Sequence, residues 1–146
     1  MTIIEYVAGH EEAIRELVGL FHDESLKEFG FDLDDNIIKG TISLCEDHSL
    51  LMFEGVELVG MIGGFLSRSL IGKKIIFNEV VWYVKKDHRR WGVRLYRAME
   101  AKLYAEGVQQ MMMVSMANSK HDQIDKLYKK LGYAPCQTQY IKELGD

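Results

Sequence analysis

The chain has 146 residues, 47% of them hydrophobic and 27% charged, with a formal net charge of −4, which fits one globular domain with a full core. No apolar run approaches the roughly 20 residues a membrane-spanning helix requires. The start, Met1-Thr2-Ile3-Ile4-Glu5, lacks the basic and apolar regions of a secretory leader. A single cytoplasmic domain spanning 1–146 is therefore expected, and a pI of about 5.7 argues against nucleic acid as a partner, since backbone recognition needs an extended basic face.

Ile3 to Val7 reads as a short strand. His10 to Phe21 reads as a helix, with Glu11 and Glu12 in its first turn and Ala13, Ile14, Leu17, Val18 and Phe21 at helical spacing. The turn-rich stretch from Phe29 to Asn36 carries Asp32, Asp34 and Asp35, whose carboxylates suit the start of a second helix running to about Leu44. Leu50 to Glu54 and Glu57 to Ser67 form a predicted hairpin joined at Glu54-Gly55, and Ile75 to Val84 adds a third strand after the turn Ile71-Gly72-Lys73-Lys74. Arg90 to Glu106 is a predicted helix with Val93, Tyr96, Met99 and Leu103 on one face and Gly107 at its end. The strand Gln109 to Met116 that follows implies a right-handed crossover. Ser119 to Leu131 is a further helix, stopped by Gly132, and the alternating tail from Cys136 to Leu144 reads as a last strand. The order is that of a mixed α/β fold, antiparallel in its first half.

Cys45 and Cys136 lack the spacing of a redox or zinc pair and read as two unrelated buried thiols. The five histidines form neither HxxxH nor HExxH, so no metal is expected. Met111-Met112-Met113 reads as a buried strand, and the favoured role of Trp82 and Trp91 is packing. One segment stands apart. Lys85, Lys86, Arg89, Arg90, Arg94 and Arg97 make up a third of the 18 basic residues, with a single acid, Asp87, among them. The segment leaves a strand and opens a helix, where unpaired main-chain N–H groups already favour anions. Cations at that end of a helix cost about 0.3–1 kcal/mol each at exposed positions, so Arg89, Arg90 and Arg94 are misplaced unless an anion offsets them. Gly92 would let a ligand approach the main chain closely.

Arg89-Arg90-Trp91-Gly92-Val93-Arg94 resembles the acetyl-CoA motif of the GNAT superfamily, Q/R-x-x-G-x-G/A, with Arg89 and Gly92 in the first and glycine positions. Arg94 departs from it, standing where the family prefers Gly or Ala, and its long side chain either pairs with phosphates or crowds them. A second match follows in the expected order. Asn118, then Leu127-Tyr128-Lys129-Lys130-Leu131-Gly132-Tyr133, is similar to the family's asparagine and closing Leu-Tyr-x-Lys-Leu-Gly-Phe signature. The resemblance covers about 75–133, and the earlier residues match in element order alone.

The resemblance implies a mostly antiparallel sheet of about six to seven strands, about four helices and a β-α-β acetyl-CoA crossover. It implies a V-shaped opening in which pantetheine pairs with Trp82, Tyr83 and Val84, while Arg89 to Arg94 and Asn118 hold the rest of the co-substrate. Glu79 would be the base that frees a primary amine, whose pKa near 10.4 keeps it protonated. Period-two alternation puts Glu79 on one face with Val81 and Tyr83. A strand N–H near Val84 would stabilise the oxyanion, and Tyr128 would protonate the departing thiolate. The same residues carry plainer readings: a Glu79 that is solvated or paired with a nearby Lys, with water as base, and a Tyr128 that only fills the core. The implied activity is transfer of an acetyl group to an amine acceptor, a small molecule or a protein, with a homodimer left open. The alternatives are an idle CoA-binding module and an enzyme acting on charged tRNA.

Overall fold

In the computed structural model, which describes residues 1–69, 72–118 and 120–145, five strands pair in chain order. They are β1 (Thr2–Glu5), β2 (Ser49–Glu54), β3 (Glu57–Arg68), β4 (Ile75–Val84) and β5 (Gln110–Met112). The first four are antiparallel neighbours, and β5 runs parallel to β4. Four α-helices cover the sheet: α1 (Glu11–Phe21), α2 (Asp35–Cys45), α3 (Gly92–Ala105) and α4 (His121–Lys130). The crossover β4-α3-β5 is thus present, and no helix among the described residues is long and apolar enough to cross a membrane.

Period-two alternation sorts the core into two layers. Leu51, Phe53, Leu58, Met61, Val81 and Tyr83 pack with Ile14 and Leu17 of α1. Leu50, Met52, Val59, Ile62, Phe77 and Val84 pack with Leu95, Tyr96, Met99 and Leu103 of α3. Each such fully buried side chain stabilises by ~1.5–3 kcal/mol relative to exposure. Val93, expected on the buried face of α3, is 39% exposed, because the packed face is set by Leu95 and Tyr96 one turn later. The anticipated helix start at Arg90 also shifts: Lys86–Trp91 is a 3₁₀ stretch, and the α-helix begins at Gly92.

Asp34 caps α2, accepting hydrogen bonds from the main-chain N–H groups of Asn36 (2.8 Å) and Ile37 (3.2 Å). Asp35 faces Arg15 of α1 at 3.7 Å. Beyond α1 the chain continues through a π-helical turn, His22–Leu26, and a 3₁₀ turn, Lys27–Phe29. The sequence offered no signal for that widened turn.

Three expectations need correction. The sheet has five strands, not six or seven, among the described residues, since 134–145 is irregular and exposed. Tyr140 is 93% exposed and Leu144 86%. Strand spacing in the tail has nothing to pair with, because β5 ends after three residues and offers almost no edge. Cys136 is exposed; only Cys45 is buried, and burial pushes its thiol up to about 11. The methionine run alternates rather than being buried throughout: Met111 and Met113 pack on the core, and Met112 points outward. Ser119 and Ile71, named above at a helix start and a turn, lie outside the described residues.

Candidate active site

The site is made by two interruptions of regular pairing. The first is a bulge in β4. Gly63 opposes Val81 and Gly64 opposes Glu79, so Val80 has no partner of its own. The bulge reverses which face each residue joins: Phe77 before it, and Trp82 and Val84 after it, all belong to the layer under α3. Val81 and Tyr83 face α1. The alternation placing Glu79 with Val81 and Tyr83 therefore fails. Glu79 is separated from them by the bulge, and its charge acts on Tyr128 and Tyr133 of the opposite layer.

The second interruption is the end of the β4–β5 ladder. Ile76, Phe77 and Asn78 pair with Gln110, Met111 and Met112, and there the pairing stops although β4 continues to Val84. The edge of β4 at Trp82, Tyr83 and Val84 is thus unpaired with β5, and the gap between it and the chain after β5 is the candidate cleft.

Glu79 and Tyr128 converge on one residue of the chain after β5. The main-chain N–H of Val114 favours the charged form of Glu79, and the Tyr128 hydroxyl donates to the Val114 carbonyl at 2.7 Å. Burial pushes Glu79 up to about 8, opposed only in part by the Val114 N–H. Burial, and then the nearby Glu79 charge, raise the Tyr128 hydroxyl far above the ordinary tyrosine value. Four rings close around it: Trp82 lies 5.5 Å from Tyr96 and 6.1 Å from Tyr128, while Tyr133 lies 6.2 Å from Tyr96 and 5.4 Å from Tyr128. The Tyr96 and Tyr133 hydroxyls are 2.9 Å apart. Trp82 and Tyr128 thus pack, as their plainer readings held, and the packing itself fixes the Tyr128 hydroxyl at the cleft.

At the turn, Arg89 donates from Nε to the Val84 carbonyl (3.2 Å), pairs with Glu24 and lies 5.8 Å over the Tyr83 ring. Arg90 and Arg94 both lie over the Trp91 ring, at 5.4 and 5.5 Å. The Trp91 indole Nε1 is buried and has no partner in the structure. Gly92 has helical dihedrals, and a methyl group added there would meet nothing closer than Val84 Cγ2 at 3.7 Å. Nothing in the chain itself demands glycine at the head of α3. The Gly92 N–H, expected to be unpaired, donates to the Arg89 carbonyl of the preceding 3₁₀ turn, so what fits a phosphate-bearing ligand here is the cluster of three arginines and a glycine the fold does not need.

Asn118 lies elsewhere. Its side-chain oxygen accepts from the Lys120 N–H at 3.0 Å, opening α4. With Asp23, Glu24, Glu28 and Lys120 it lines a pocket of about 150 Å³. The acids at this pocket come from the widened turn after α1. Sequence reasoning missed Glu24, Lys120 and Val114, whose significance depends on which segments lie side by side.

No protein-family model matches the chain, and no curated relative matches it by sequence. Solved structures do match by shape. A ribosomal-protein-alanine N-acetyltransferase from Brucella melitensis biovar Abortus 2308 gives a TM-score of 0.75 at 16% identity, over 98% of this chain and 98% of that one. An aminoglycoside acetyltransferase from an uncultured soil metagenomic sample gives 0.70 at 17% identity, over 99% of this chain and 100% of that one. An acetyltransferase from Trypanosoma brucei gives 0.71 at 12% identity, over 98% and 99%. With the bulged β4 and the early end of its pairing with the parallel β5, these likenesses establish that the chain has the fold of the GNAT acetyltransferases.

Proposed function

We propose that the protein transfers an acetyl group from acetyl-CoA to a primary amine by direct attack in a ternary complex. The observation that carries this reading is the end of the β4–β5 pairing at Asn78 and Met112, beyond which Glu79 of β4 and Tyr128 of α4 converge on Val114 and the arginine-rich turn follows the end of β4. Acetyl-CoA would supply the activated acyl thioester. The edge of β4 at Trp82, Tyr83 and Val84 would take the pantetheine arm, and Arg89, Arg90 and Arg94, beside Gly92 at the head of α3, would take the phosphates. Arg94 rests over the Trp91 ring at 5.5 Å, and from there its guanidinium would pair with a phosphate rather than crowd it.

Glu79, pushed up to about 8, suits a base that accepts the proton of the attacking amine near neutral pH. Its protonation removes the charge that raises Tyr128, so taking the amine proton makes the Tyr128 hydroxyl a better donor toward the sulfur when the thiolate leaves. Base and acid would be coupled through their shared contacts with Val114. Replacing Tyr128 by Phe is expected to lower kcat by about 10–100-fold with little change in the affinity for acetyl-CoA. Steady-state kinetics together with calorimetric titration checks this, and an unchanged kcat would restrict Tyr128 to packing.

Asp23 and Glu28, which share a pocket with Glu24, Asn118 and Lys120, would face the acceptor and support a cationic amine, Glu24 itself being engaged by Arg89 and Lys120. Whether that amine belongs to a small molecule or a protein is decided by assaying thiol release with a panel of both. The primary test is thermal stabilisation by acetyl-CoA against free CoA, ATP and NAD. At 100-fold excess over Kd a ligand stabilises by ~2.7 kcal/mol, or roughly 8 °C for a chain of this size. No shift with acetyl-CoA would overturn the reading.

Gly92→Ala separates ligand from fold. Because a methyl group fits there, the free protein is expected to gain about 0.4–1 kcal/mol, while acetyl-CoA binding weakens by an order of magnitude. Thermal denaturation with and without acetyl-CoA measures both, and unaltered binding would remove the turn from the site.

A further inference from the structure

The Glu24 carboxylate is the meeting point of three segments that border the cleft. Its Oε1 accepts a hydrogen bond from the Tyr83 hydroxyl of β4 at 2.8 Å. Its Oε2 pairs with Arg89 of the 3₁₀ turn, and Lys120 Nζ of the segment leading into α4 lies 3.6 Å from the same oxygen. Glu24 itself sits in the π-helical turn after α1, a distortion that recurs at functional positions. Burial opposes its ionisation, but Tyr83, Arg89 and Lys120 outweigh that and hold it below the usual carboxylate range. The guanidinium that the phosphate turn offers to a ligand is therefore already paired with a carboxylate of the chain.

Resting on the functional reading above, we propose that Glu24 is a positioning residue that competes with the co-substrate's phosphates for Arg89. Arg89 exchanges the Glu24 carboxylate for a phosphate when acetyl-CoA binds. Two features make the exchange inexpensive. Arg89 keeps the Val84 carbonyl and the Tyr83 ring as fixed contacts, so it needs only a small change of aim. Glu24 keeps Tyr83 and Lys120, so it is not left as an unpaired buried charge, which would otherwise dominate the cost. Both side chains of the ion pair are partly exposed, at 38% and 31%. A pair so exposed to solvent is weak, so a phosphate can take over the same guanidinium.

The competition makes a prediction opposite to that for an ordinary structural residue. In Glu24→Gln the amide still accepts from Tyr83 but no longer holds Arg89 by charge, and the negative charge facing the phosphate turn is gone. Acetyl-CoA is expected to bind Glu24→Gln about 3–10-fold more tightly than it binds the unaltered protein, measured by calorimetric titration at fixed ionic strength. In an Arg89→Gln background the same change is expected to have no effect on binding, because the two residues act through each other. Glu24→Asp, which keeps the charge but shortens its reach, is expected to fall between the two and serves as the folded control if the amide variant melts early. Equal or weaker binding of acetyl-CoA by Glu24→Gln or Glu24→Asp would overturn the competition, as would an undiminished Glu24 effect without Arg89. A failure of the unaltered protein to bind acetyl-CoA would instead defeat the functional reading on which the proposal rests.

Discussion

Replacing Glu79 by Gln is expected to lower kcat/KM at least 100-fold while making the protein more stable at alkaline pH, two effects that a purely structural residue would not combine. The kinetic part follows from its role as base: positioned general bases contribute about 10²–10⁴-fold, and the rise of kcat/KM with pH through about 8 should vanish in the variant. The stability part follows from linkage. The carboxyl stands at about 8 in the folded protein instead of 4.5, so between those values the folded state holds a proton that the unfolded chain has released. Stability therefore falls as pH rises through that window and is lowest above it. Glutamine carries no such proton and can still accept from the Val114 N–H. The variant should gain on the order of 4 kcal/mol at pH 9 and almost nothing at pH 4. Urea denaturation at the two pH values measures the gain, and a pH-independent difference would show that Glu79 is not a buried carboxyl.

Gly64→Ala is expected to cause the largest loss of stability of any single methyl addition in the sheet, about 3 kcal/mol or more. A Cβ at Gly64 would lie 2.0 Å from the Asn78 carbonyl oxygen and 2.8 Å from its carbon. Both are main-chain atoms inside a paired strand, so no side-chain rotation relieves the clash. Because Gly64 is the residue opposite Glu79 at the bulge, relief requires β4 to shift where it carries the base. The variant should lose activity as well as stability. Denaturant midpoint and thiol release report the two losses together, and a folded, fully active Gly64→Ala would mean that the bulge does not set the position of Glu79.

Much of the fold was legible because local patterns and tertiary packing agree. The helical spacing of Ile14, Leu17 and Phe21, the turn at Gly55, the cap at Asp34 and the run Ile75–Val84 each specify an element whose apolar face then finds the sheet. Where packing overrides pattern, the reading failed. The alternating tail lacks an edge to pair with, and Cys136 shares no layer with Cys45.

The site divides in the same way. A basic, glycine-containing segment between a strand and a helix announces an anion-binding turn, since helix polarity makes arginines at that end anomalous, and Tyr128 follows from its sequence neighbours. Which face Glu79 occupies does not follow from its sequence, because one unpaired residue, Val80, reverses the alternation. Nor do the roles of Glu24, Lys120 and Val114, which arise from contacts across the fold such as that between Glu24 and Arg89. The sequence by itself determined the helices and the first four strands, the crossover and the charge of the turn, all of which depend on near neighbours along the chain. Only the tertiary structure decided where β4 and β5 stop pairing, the absence of a tail strand among the described residues, the partner of each ionisable group and the face of Glu79, because burial and long-range pairing set those.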